Sequence, residues 1–333
     1  MAAALYGTDG FYRNNSPDAH FRTSVTASPL LAESMVELVV AVDAALAKPR
    51  RLDIVDVGAA DGSLLVGLMK ALPPHVAARA HPVGVEIRRR PAGLDSHVSW
   101  TDKPPNAVDG LVIAHEYLDN VPCDVAQLGQ DGLLHQVLVE PGSGVESMGP
   151  PLTAEQAEWV GSWWPLSQPG NRAEVGSSRD STWADLVGRL HRGLAVAIDY
   201  GHCRDDRLSG VLPVGTLTGY RAGRQVLPIP DGSCDITAHV AIDACEQAGL
   251  TAGADTSALI SQGAALRALG LDAARPPIDL ARSDPHRYVD GLSRASQAAE
   301  LLDPAALGSF WWLLQAKGCL PGLPGIRWTS GRA

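Results

Sequence analysis

The feature that most constrains this chain is a turn of small residues between an apolar strand and a helix. Residues 52–58 (LDIVDVG) are apolar and β-branched, which predicts a buried strand, and residues 63–72 (SLLVGLMKAL) predict the helix that follows. Small residues at positions 58, 60 and 62 let a ligand approach the backbone closely, and the helix presents its free N–H groups there. The pattern indicates a nucleotide or nucleoside site in an α/β fold, and a purely structural turn is the alternative.

The spacing of the small residues in this turn distinguishes between the kinds of ligand that it could bind. A dinucleotide fingerprint, G-x-G-x-x-G, would place its third glycine where Ser63 stands, and no G-K-[ST] follows that would make a phosphate-binding Walker loop. The compact G-x-A-x-G pattern suits S-adenosylmethionine (SAM), which has no pyrophosphate to hold. The predicted cofactor-binding residues in the turn are Asp56, Gly58, Ala60, Asp61 and Gly62.

Further apolar segments extend the predicted sheet. Strands are predicted at 81–87, 97–100, 110–116 and 193–201, and their alternation with helical segments favours a mostly parallel sheet. Glu86 ends the second strand, where a carboxylate can accept both ribose hydroxyls of an adenosyl group in either an NAD or a SAM site. We also assign Asp102, which follows the third strand, to the cofactor side.

Polar residues follow the fourth strand at the edge that should face the ligand. His115, Glu116 and Asp119 are expected to line the crevice, because the carboxyl ends of parallel strands meet there. His115 is a candidate general base. Stacking on adenine, or capping a backbone group, is an equally acceptable role for it at this point.

The rest of the chain surrounds this core. A helix is predicted over 28–47, with Ser28 as its N-cap. About eighty residues separate the fourth and fifth strands, which is too long for a simple connection. They predict a hairpin around Asp131-Gly132, a loop over 141–151, a helix capped by Thr153 and Gln156, and a helix over 181–193. Later segments predict helices near 237–249 and 257–269, a polar stretch over 271–287, and a strand over 309–318 at the sheet edge.

Composition excludes several classes of protein. The 333 residues are 45% hydrophobic, which excludes a mostly disordered chain, and 27 Lys and Arg against 37 Asp and Glu give a net charge of −10, which argues against a duplex nucleic-acid binder. No run approaches the ~20 apolar residues of a membrane helix, and the N-terminus lacks the pattern of a secretory signal, so a cytoplasmic protein is expected. Five cysteines without a C-x-x-C pair argue against a disulfide framework or a zinc ribbon, and no metal is predicted.

Together these motifs resemble the MidA-type SAM-dependent methyltransferases, relatives of the mitochondrial complex I assembly methyltransferase. The resemblance covers nearly the whole chain. It is carried by residues 4–6 and 10–12 (ALY…GFY), Phe21, Thr23, Ser24, Ser28 and Glu33, the loop 56–64, Glu116, Asp119, Val121 and Pro122, the segment 198–201 (IDYG), 215–217 with Tyr220, 235–240 (DITAHV), 261–263 and 269–270.

The resemblance implies a Rossmann-like class I methyltransferase sheet with an N-terminal helical cap, SAM as the methyl donor, and Thr23 and Ser28 among the donor-binding residues. It places the cap at 1–50, the core at 51–119 and 193–333, and an acceptor-side or partner-binding insertion at 120–192. The mitochondrial relative methylates a protein arginine. The chain departs from the family where Ser24-Val25-Thr26 replaces S-P-E, where His115 replaces an asparagine, and where Ala60 replaces the middle glycine.

The candidate catalytic residues are distributed over the strand ends. Glu116 and Asp199 are predicted beside the donor, His115 as the base, and Tyr200 and Asp235 on the acceptor side. Simpler structural roles are an N-cap for Asp235, core packing for Tyr200 and a turn for Asp199. His239 is a further candidate.

Three functions follow from these assignments. They are a protein arginine methyltransferase, a small-molecule O- or N-methyltransferase with His115 as base, and a non-catalytic SAM-binding assembly factor. An NAD-dependent enzyme is a more remote fourth. The hydrophobic segments 159–166 and 309–314 are compatible with a core or with a homodimer interface.

Overall fold

A computed structural model describes residues 1–14 and 28–331 of the chain. In these residues the strands are β1 (Leu52–Val57), β2 (Ala80–Val85), β3 (Ser99–Thr101), β4 (Val108–His115), β5 (Asp124–Leu128), β6 (Leu134–Val139), β7 (Glu146–Pro151), β8 (Arg172–Val175), β9 (Leu190–Asp199), β10 (Gly201–His202), β11 (Thr218–Arg221), β12 (Arg224–Val226), β13 (Asp235–Thr237), β14 (Val240–Ala241), β15 (Thr256–Ser261), β16 (Trp311–Lys317) and β17 (Thr329–Ser330).

The helices of the same residues are α1 (Ala2–Tyr6), α2 (Phe11–Asn14), α3 (Leu30–Ala45), α4 (Ser63–Ala71), α5 (Pro74–Ala77), α6 (Ala154–Trp163), α7 (Ser177–Gly188), α8 (Arg204–Leu208), α9 (Ile242–Thr251), α10 (Gln262–Ala268), α11 (Leu280–Ser283) and α12 (Pro285–Leu302), with 3-10 turns at Leu118–Asn120 and Leu307–Ser309. Among the described helices, none is both long enough and apolar enough to cross a membrane.

The chain divides into two compact units. The sheet unit comprises the described residues of 28–115, 189–198 and 254–331, and the insertion unit comprises 1–14, 116–188 and 199–253. The sequence analysis assigned 199–253 to the core and 1–14 to a cap with 28–50. In the structure both segments join the insertion residues instead.

An eight-stranded sheet forms the centre of the sheet unit, in the order β17-β15-β16-β9-β4-β1-β2-β3. The five strands from β9 to β3 are parallel, as predicted. Every residue of β1 is buried, which explains why the strand is mostly apolar and β-branched apart from Asp53 and Asp56. The late strand is confirmed as β16, but its predicted position is wrong: β16 lies between β15 and β9 inside the sheet, and its residues 312–316 are buried.

Helices of the sheet unit pack around this sheet. α3 packs on α4, and the long helix α12 packs on α3 and α10. The predicted helix at 28–47 is confirmed as α3, but its N-cap is Pro29 and not Ser28. Ser28 Oγ accepts a hydrogen bond from Leu30 N at 3.1 Å from the position before the cap. α12 was not predicted, because its 18 residues are mostly polar and exposed.

The insertion unit holds three smaller sheets, ordered β7-β6-β5-β8, β12-β11-β13 and β10-β14. The hairpin of β5 and β6 and the capping box of Thr153 with Gln156 at the start of α6 are confirmed. The predicted loop at 141–151 is wrong, since 146–151 form β7 and pair with β6. The helix predicted over 181–193 is instead α7, which ends at Gly188, while 190–193 already belong to β9.

Two further predictions are corrected in the C-terminal half. The segment 237–241 contains the ends of β13 and all of β14, and the helix α9 starts only at Ile242. Residues 257–261 belong to strand β15, and the helix α10 starts at Gln262. Alternating and helical periodicities overlap in both segments, so short strands were included in the helices that follow them.

Candidate functional site

The predicted nucleoside loop forms a tight turn at the end of β1. Gly58, Ala60 and Gly62 all have positive φ, at 77°, 49° and 81°. Gly58 N and Ala59 N both donate to Val85 O, at 2.9 and 3.2 Å, so the loop is fastened to β2. A Cβ at Gly62 would lie 2.8 Å from Leu94 Cδ1, and its φ of +81° is one that residues other than glycine rarely adopt. The loop is therefore a fixed backbone surface and not a flexible connection.

Glu86 is held against this loop as the sequence predicted. Its Oε2 accepts a hydrogen bond from Ala60 N at 3.1 Å, and its Oε1 accepts one from Arg88 N at 3.1 Å. The Arg88 guanidinium lies 3.6 Å from Oε2. These bonds orient the carboxylate and leave lone pairs on both oxygens for further donors. Such a carboxylate fits the pair of ribose hydroxyls of an adenosyl group.

Strand register brings the other predicted residues of this unit to the same sheet edge. Val57 pairs with Val85 and with Ala114, and Val85 pairs with Thr101. Asp102 and His115 therefore lie at the carboxyl edge of the sheet with the loop, Asp102 exposed and His115 buried. Burial lowers the pKa of His115 to about 4, so the imidazole is neutral at neutral pH.

Asp56 lies beneath the loop at the end of β1. The residue is buried, and burial, followed by the charges of Glu86 and Asp61, raises the pKa of Asp56 to about 7. Asp61 is placed differently. It forms a local turn just before α4, because its Oδ1 accepts a hydrogen bond from Ser63 N at 2.9 Å, while the N-cap of α4 is Gly62.

For two of the predicted cofactor-binding residues, no contact places them at the carboxyl edge of the sheet. The hydroxyl of Ser28 donates to Gln297 Oε1 at 2.9 Å and accepts from Leu30 N, so it ties α3 to α12. Thr23 lies outside the described residues, as do Phe21, Ser24, Val25 and Thr26.

The insertion unit contains a group of acidic residues that we call the carboxylate cluster: Glu116, Asp119, Asp199 and Asp235. The three aspartates are buried, and Glu116 is half-buried with φ +48°, an uncommon conformation for a residue other than glycine. Arg179, 1% exposed, donates to the backbone oxygens of Asp119 and Val121 at 2.7 and 3.2 Å. Arg179 thus fixes the backbone of the turn that carries Asp119.

Asp199 has a structural part in the cluster. Its Oδ2 accepts from Leu118 N and Asp119 N at 2.9 and 3.2 Å, and its Oδ1 accepts from Tyr200 N at 3.0 Å. Burial, then Asp119 and Glu116, raise the pKa of Asp199 well above its usual range. We infer that Asp199 organises the turn at 118–120, a role the predicted wall position did not include.

Asp119 and Asp235 are neighbours with different partners. Thr237 Oγ1 donates to Asp119 Oδ2 at 2.6 Å, while Asp235 Oδ1 accepts from Tyr12 at 2.9 Å and from Asn120 at 3.4 Å. Burial raises the pKa of Asp119 to about 6, and burial followed by Asp119 raises that of Asp235 to about 7. Asp235 lies in β13 and not before a helix, which removes the N-cap alternative.

Glu116 and Tyr200 form the more accessible side of the cluster. The Tyr200 hydroxyl donates to Glu116 Oε2 at 3.1 Å, and its ring stacks on His239 with centroids 5.9 Å apart. Burial, followed by Glu116, raises the pKa of Tyr200 well above 10, so the hydroxyl keeps its proton. The hydrogen bond links Glu116, which was predicted beside the donor, to Tyr200, which was predicted on the acceptor side.

Sequence reasoning missed three residues that organise these groups. Arg179 was hidden because the start of α7 was not predicted. Tyr12 was noted only as part of a motif. Trp100 of β3 donates its Nε1 to Arg88 O at 3.0 Å, and its ring covers Gly84 so closely that a Cβ there would lie 2.6 Å from it. No local pattern signals a contact between residues 12 and 235, which are 223 positions apart.

The comparisons with known proteins agree with this geometry. Residues 30–260 match a family model described as S-adenosyl-L-methionine-dependent methyltransferase. A COG1565 superfamily member from Burkholderia thailandensis, solved with S-adenosyl-homocysteine bound, has a TM-score of 0.81 at 24% identity over 98% of this chain and 90% of its own. A native structure of a COG1565 superfamily protein from the same organism has a TM-score of 0.81 at 25% identity over 98% and 89%. No curated protein matches the sequence.

The similarity to these structures assigns the class I methyltransferase fold, and the family match assigns SAM as the cofactor. The donor set of this chain fits that cofactor, because the loop of small residues and the oriented Glu86 carboxylate suit an adenosyl group without a pyrophosphate. The chain therefore belongs to the family of S-adenosyl-L-methionine-dependent methyltransferases.

Proposed function

We propose that this methyltransferase acts on the guanidinium group of a protein arginine. The observation that carries the proposal is the gathering of four carboxyl groups in the carboxylate cluster. Three buried aspartates and the half-buried Glu116 lie in this cluster, and the buried Arg179 donates to the backbone oxygen of Asp119. A cationic acceptor would be attracted to such a cluster and would restore full ionisation to carboxyls whose pKa values burial has raised.

The same residues are less suited to a hydroxyl acceptor. A phenol has a pKa of about 10, and a general base works best when its own pKa is near the operating pH. His115, with a pKa of about 4, is a weak base for that task. An oxyanion forming next to four carboxylates would also be repelled. A planar guanidinium, by contrast, pairs readily with carboxylate oxygens.

The chemistry divides between two groups of residues. SAM, when bound, supplies an electrophilic methyl group, and the loop 58–62 with Glu86 would hold its adenosyl part. Tyr200 orients Glu116 through its hydroxyl. Glu116 would pair with the guanidinium and accept the proton that the nitrogen loses when the methyl group passes from sulfur to nitrogen, with S-adenosylhomocysteine as the leaving group. Alignment of the reacting atoms is the main catalytic demand of such a displacement.

Labelled methyl transfer to matched peptides tests the proposal. We expect transfer from labelled SAM to an arginine peptide, and none to the same peptide with lysine or citrulline in its place. Glu116→Gln should lower kcat by about 100-fold or more, because it removes the proton acceptor, while S-adenosylhomocysteine binding stays within about threefold.

Glu155→Gln, an exposed residue of α6, is the matched control and should behave like the wild type. Incubation with host lysate distinguishes the alternatives. Label found only in the low-mass fraction would support a small-molecule acceptor, and tight cofactor binding without any transfer would support a non-catalytic assembly factor. The resemblance to MidA-type enzymes, and a cytoplasmic location, are consistent with a protein acceptor.

A further inference from the structure

His239 combines an exposed side chain with a backbone that is fixed from several directions. The residue is exposed between two buried neighbours, Ala238 and Val240. Ala238 N donates to Asp119 O at 3.3 Å, and Val240 N donates to Tyr200 O at 2.9 Å. The imidazole thus projects from a short rigid segment that is anchored to the carboxylate cluster.

One buried charged residue, Arg179, holds His239 directly, and a second, Glu174, holds it through Thr216. Its carbonyl oxygen accepts from Arg179 Nη1 at 2.9 Å, and its amide donates to Thr216 Oγ1 at 2.9 Å. Thr216 is held in turn by Glu174, 2% exposed, which accepts from Thr216 N at 2.8 Å and from its hydroxyl at 3.1 Å. Burying charged groups is costly, so their convergence on an exposed residue indicates that the position of that residue matters.

The ring of His239 extends the Tyr200–Glu116 pair. It lies at 26° to the Tyr200 ring with centroids 5.9 Å apart, and Tyr200 donates to Glu116 at 3.1 Å. Desolvation of the ring and the charge of Arg179 lower the pKa of His239, which favours the neutral imidazole. Two neutral aromatic rings and one carboxylate are the groups that a guanidinium recognises, by stacking on the rings and pairing with the charge.

We propose that His239 is a specificity-determining residue of the acceptor site, where its imidazole and the Tyr200 ring form a stacked aromatic platform that offers an outer ring face to the acceptor guanidinium beside Glu116. The inference rests on the proposed arginine acceptor and adds to it a residue outside the donor site. A primary ammonium has no plane to stack, so the platform favours arginine over lysine.

Steady-state kinetics with the arginine peptide test the platform. His239→Ala should raise KM for the peptide about tenfold with kcat changed less than threefold, since stacking is lost while Glu116 remains. His239→Phe retains a ring and should restore KM to within about threefold of the wild type. Binding of S-adenosylhomocysteine should be unchanged in both variants, and thermal unfolding of both confirms that they are folded.

His286→Ala, an exposed histidine of α12, is the matched control and should leave KM unchanged. A wild-type enzyme that does not methylate the arginine peptide would overturn the proposed function itself. If the wild type is active and His239→Ala leaves KM within twofold, or if His239→Phe is as impaired as His239→Ala, the platform is wrong while the proposed function stands.

Discussion

The positions of single residues at the carboxyl edge of the sheet could be predicted, because strand register determines them. Gly58 and Glu86 follow adjacent parallel strands, so an apolar pattern and a chain direction were enough to bring them together. Asp199 was a different case. Its three backbone N–H partners come from a turn 80 residues away and from its own neighbour, and no side-chain pattern records them.

Asp56 should make stability depend on pH. Its pKa is about 7 in the folded protein against a usual value of 3.8, so the folded state binds more protons between these values and the free energy of unfolding falls as pH rises. Asp56→Asn removes the titrating group and with it this contribution to the pH dependence of the free energy of unfolding. Its stability relative to the wild type should grow by up to about 4 kcal/mol from pH 4 to pH 8, at about 1.4 kcal/mol per pKa unit. Urea unfolding of both proteins at a series of pH values measures the stability difference. A difference that does not change with pH would contradict the prediction.

At the scale of elements, a helix or a turn could be predicted where its whole sequence signal lies within a few neighbouring residues. The capping box of α6 and the hairpin turn after β5 each contain their own signal within a few residues. β7 carries Gly149, Pro150 and Pro151 and was taken for a loop, yet it pairs with β6 as an edge strand, where proline is tolerated. α12 has an apolar stripe, Ala295, Ala298, Leu301 and Leu302, but its buried part lies only in the second half of the helix, which made the helix hard to identify.

The packing of β3 against β2 depends on Gly84, a residue of β2. A Cβ at Gly84 would lie 2.6 Å from the Trp100 ring and 3.3 Å from Ala59 Cβ. Gly84→Ala should therefore lower the free energy of unfolding by about 1–3 kcal/mol, as overpacking does, and weaken S-adenosylhomocysteine binding, since Trp100 also supports the Arg88 backbone.

Gly161 of α6 provides the matched control for that substitution. An added Cβ meets nothing within 4 Å there, so Gly161→Ala should raise the free energy of unfolding by about 0.5–1 kcal/mol. Urea unfolding and calorimetric titration measure both variants. Equal stability of Gly84→Ala and the wild type would show that Trp100 can move aside at no cost.

The whole molecule contains two units with different chemistry, and ligand binding should distinguish them. S-adenosylhomocysteine at 100 times its Kd stabilises the folded state by about 2.7 kcal/mol. Hydrogen exchange should slow mainly at 54–63 and 83–88 of the sheet unit, around the loop and Glu86. Glu86→Ala should abolish this protection and Glu155→Ala should preserve it. Protection confined to the insertion unit would contradict the assigned donor site.

The place of β16 in the sheet has a consequence for how the protein is made. β16 sits between β9 and β15, so it pairs with a strand about 120 positions earlier in the chain. Pairings of such long range form slowly and late, because the loop they close is costly in entropy. During synthesis, the edge of β9 that pairs with β16 stays unpaired until residue 317 has left the ribosome. The nascent chain is then exposed to aggregation for that interval, and chaperones that cover apolar strand edges should find their substrate there.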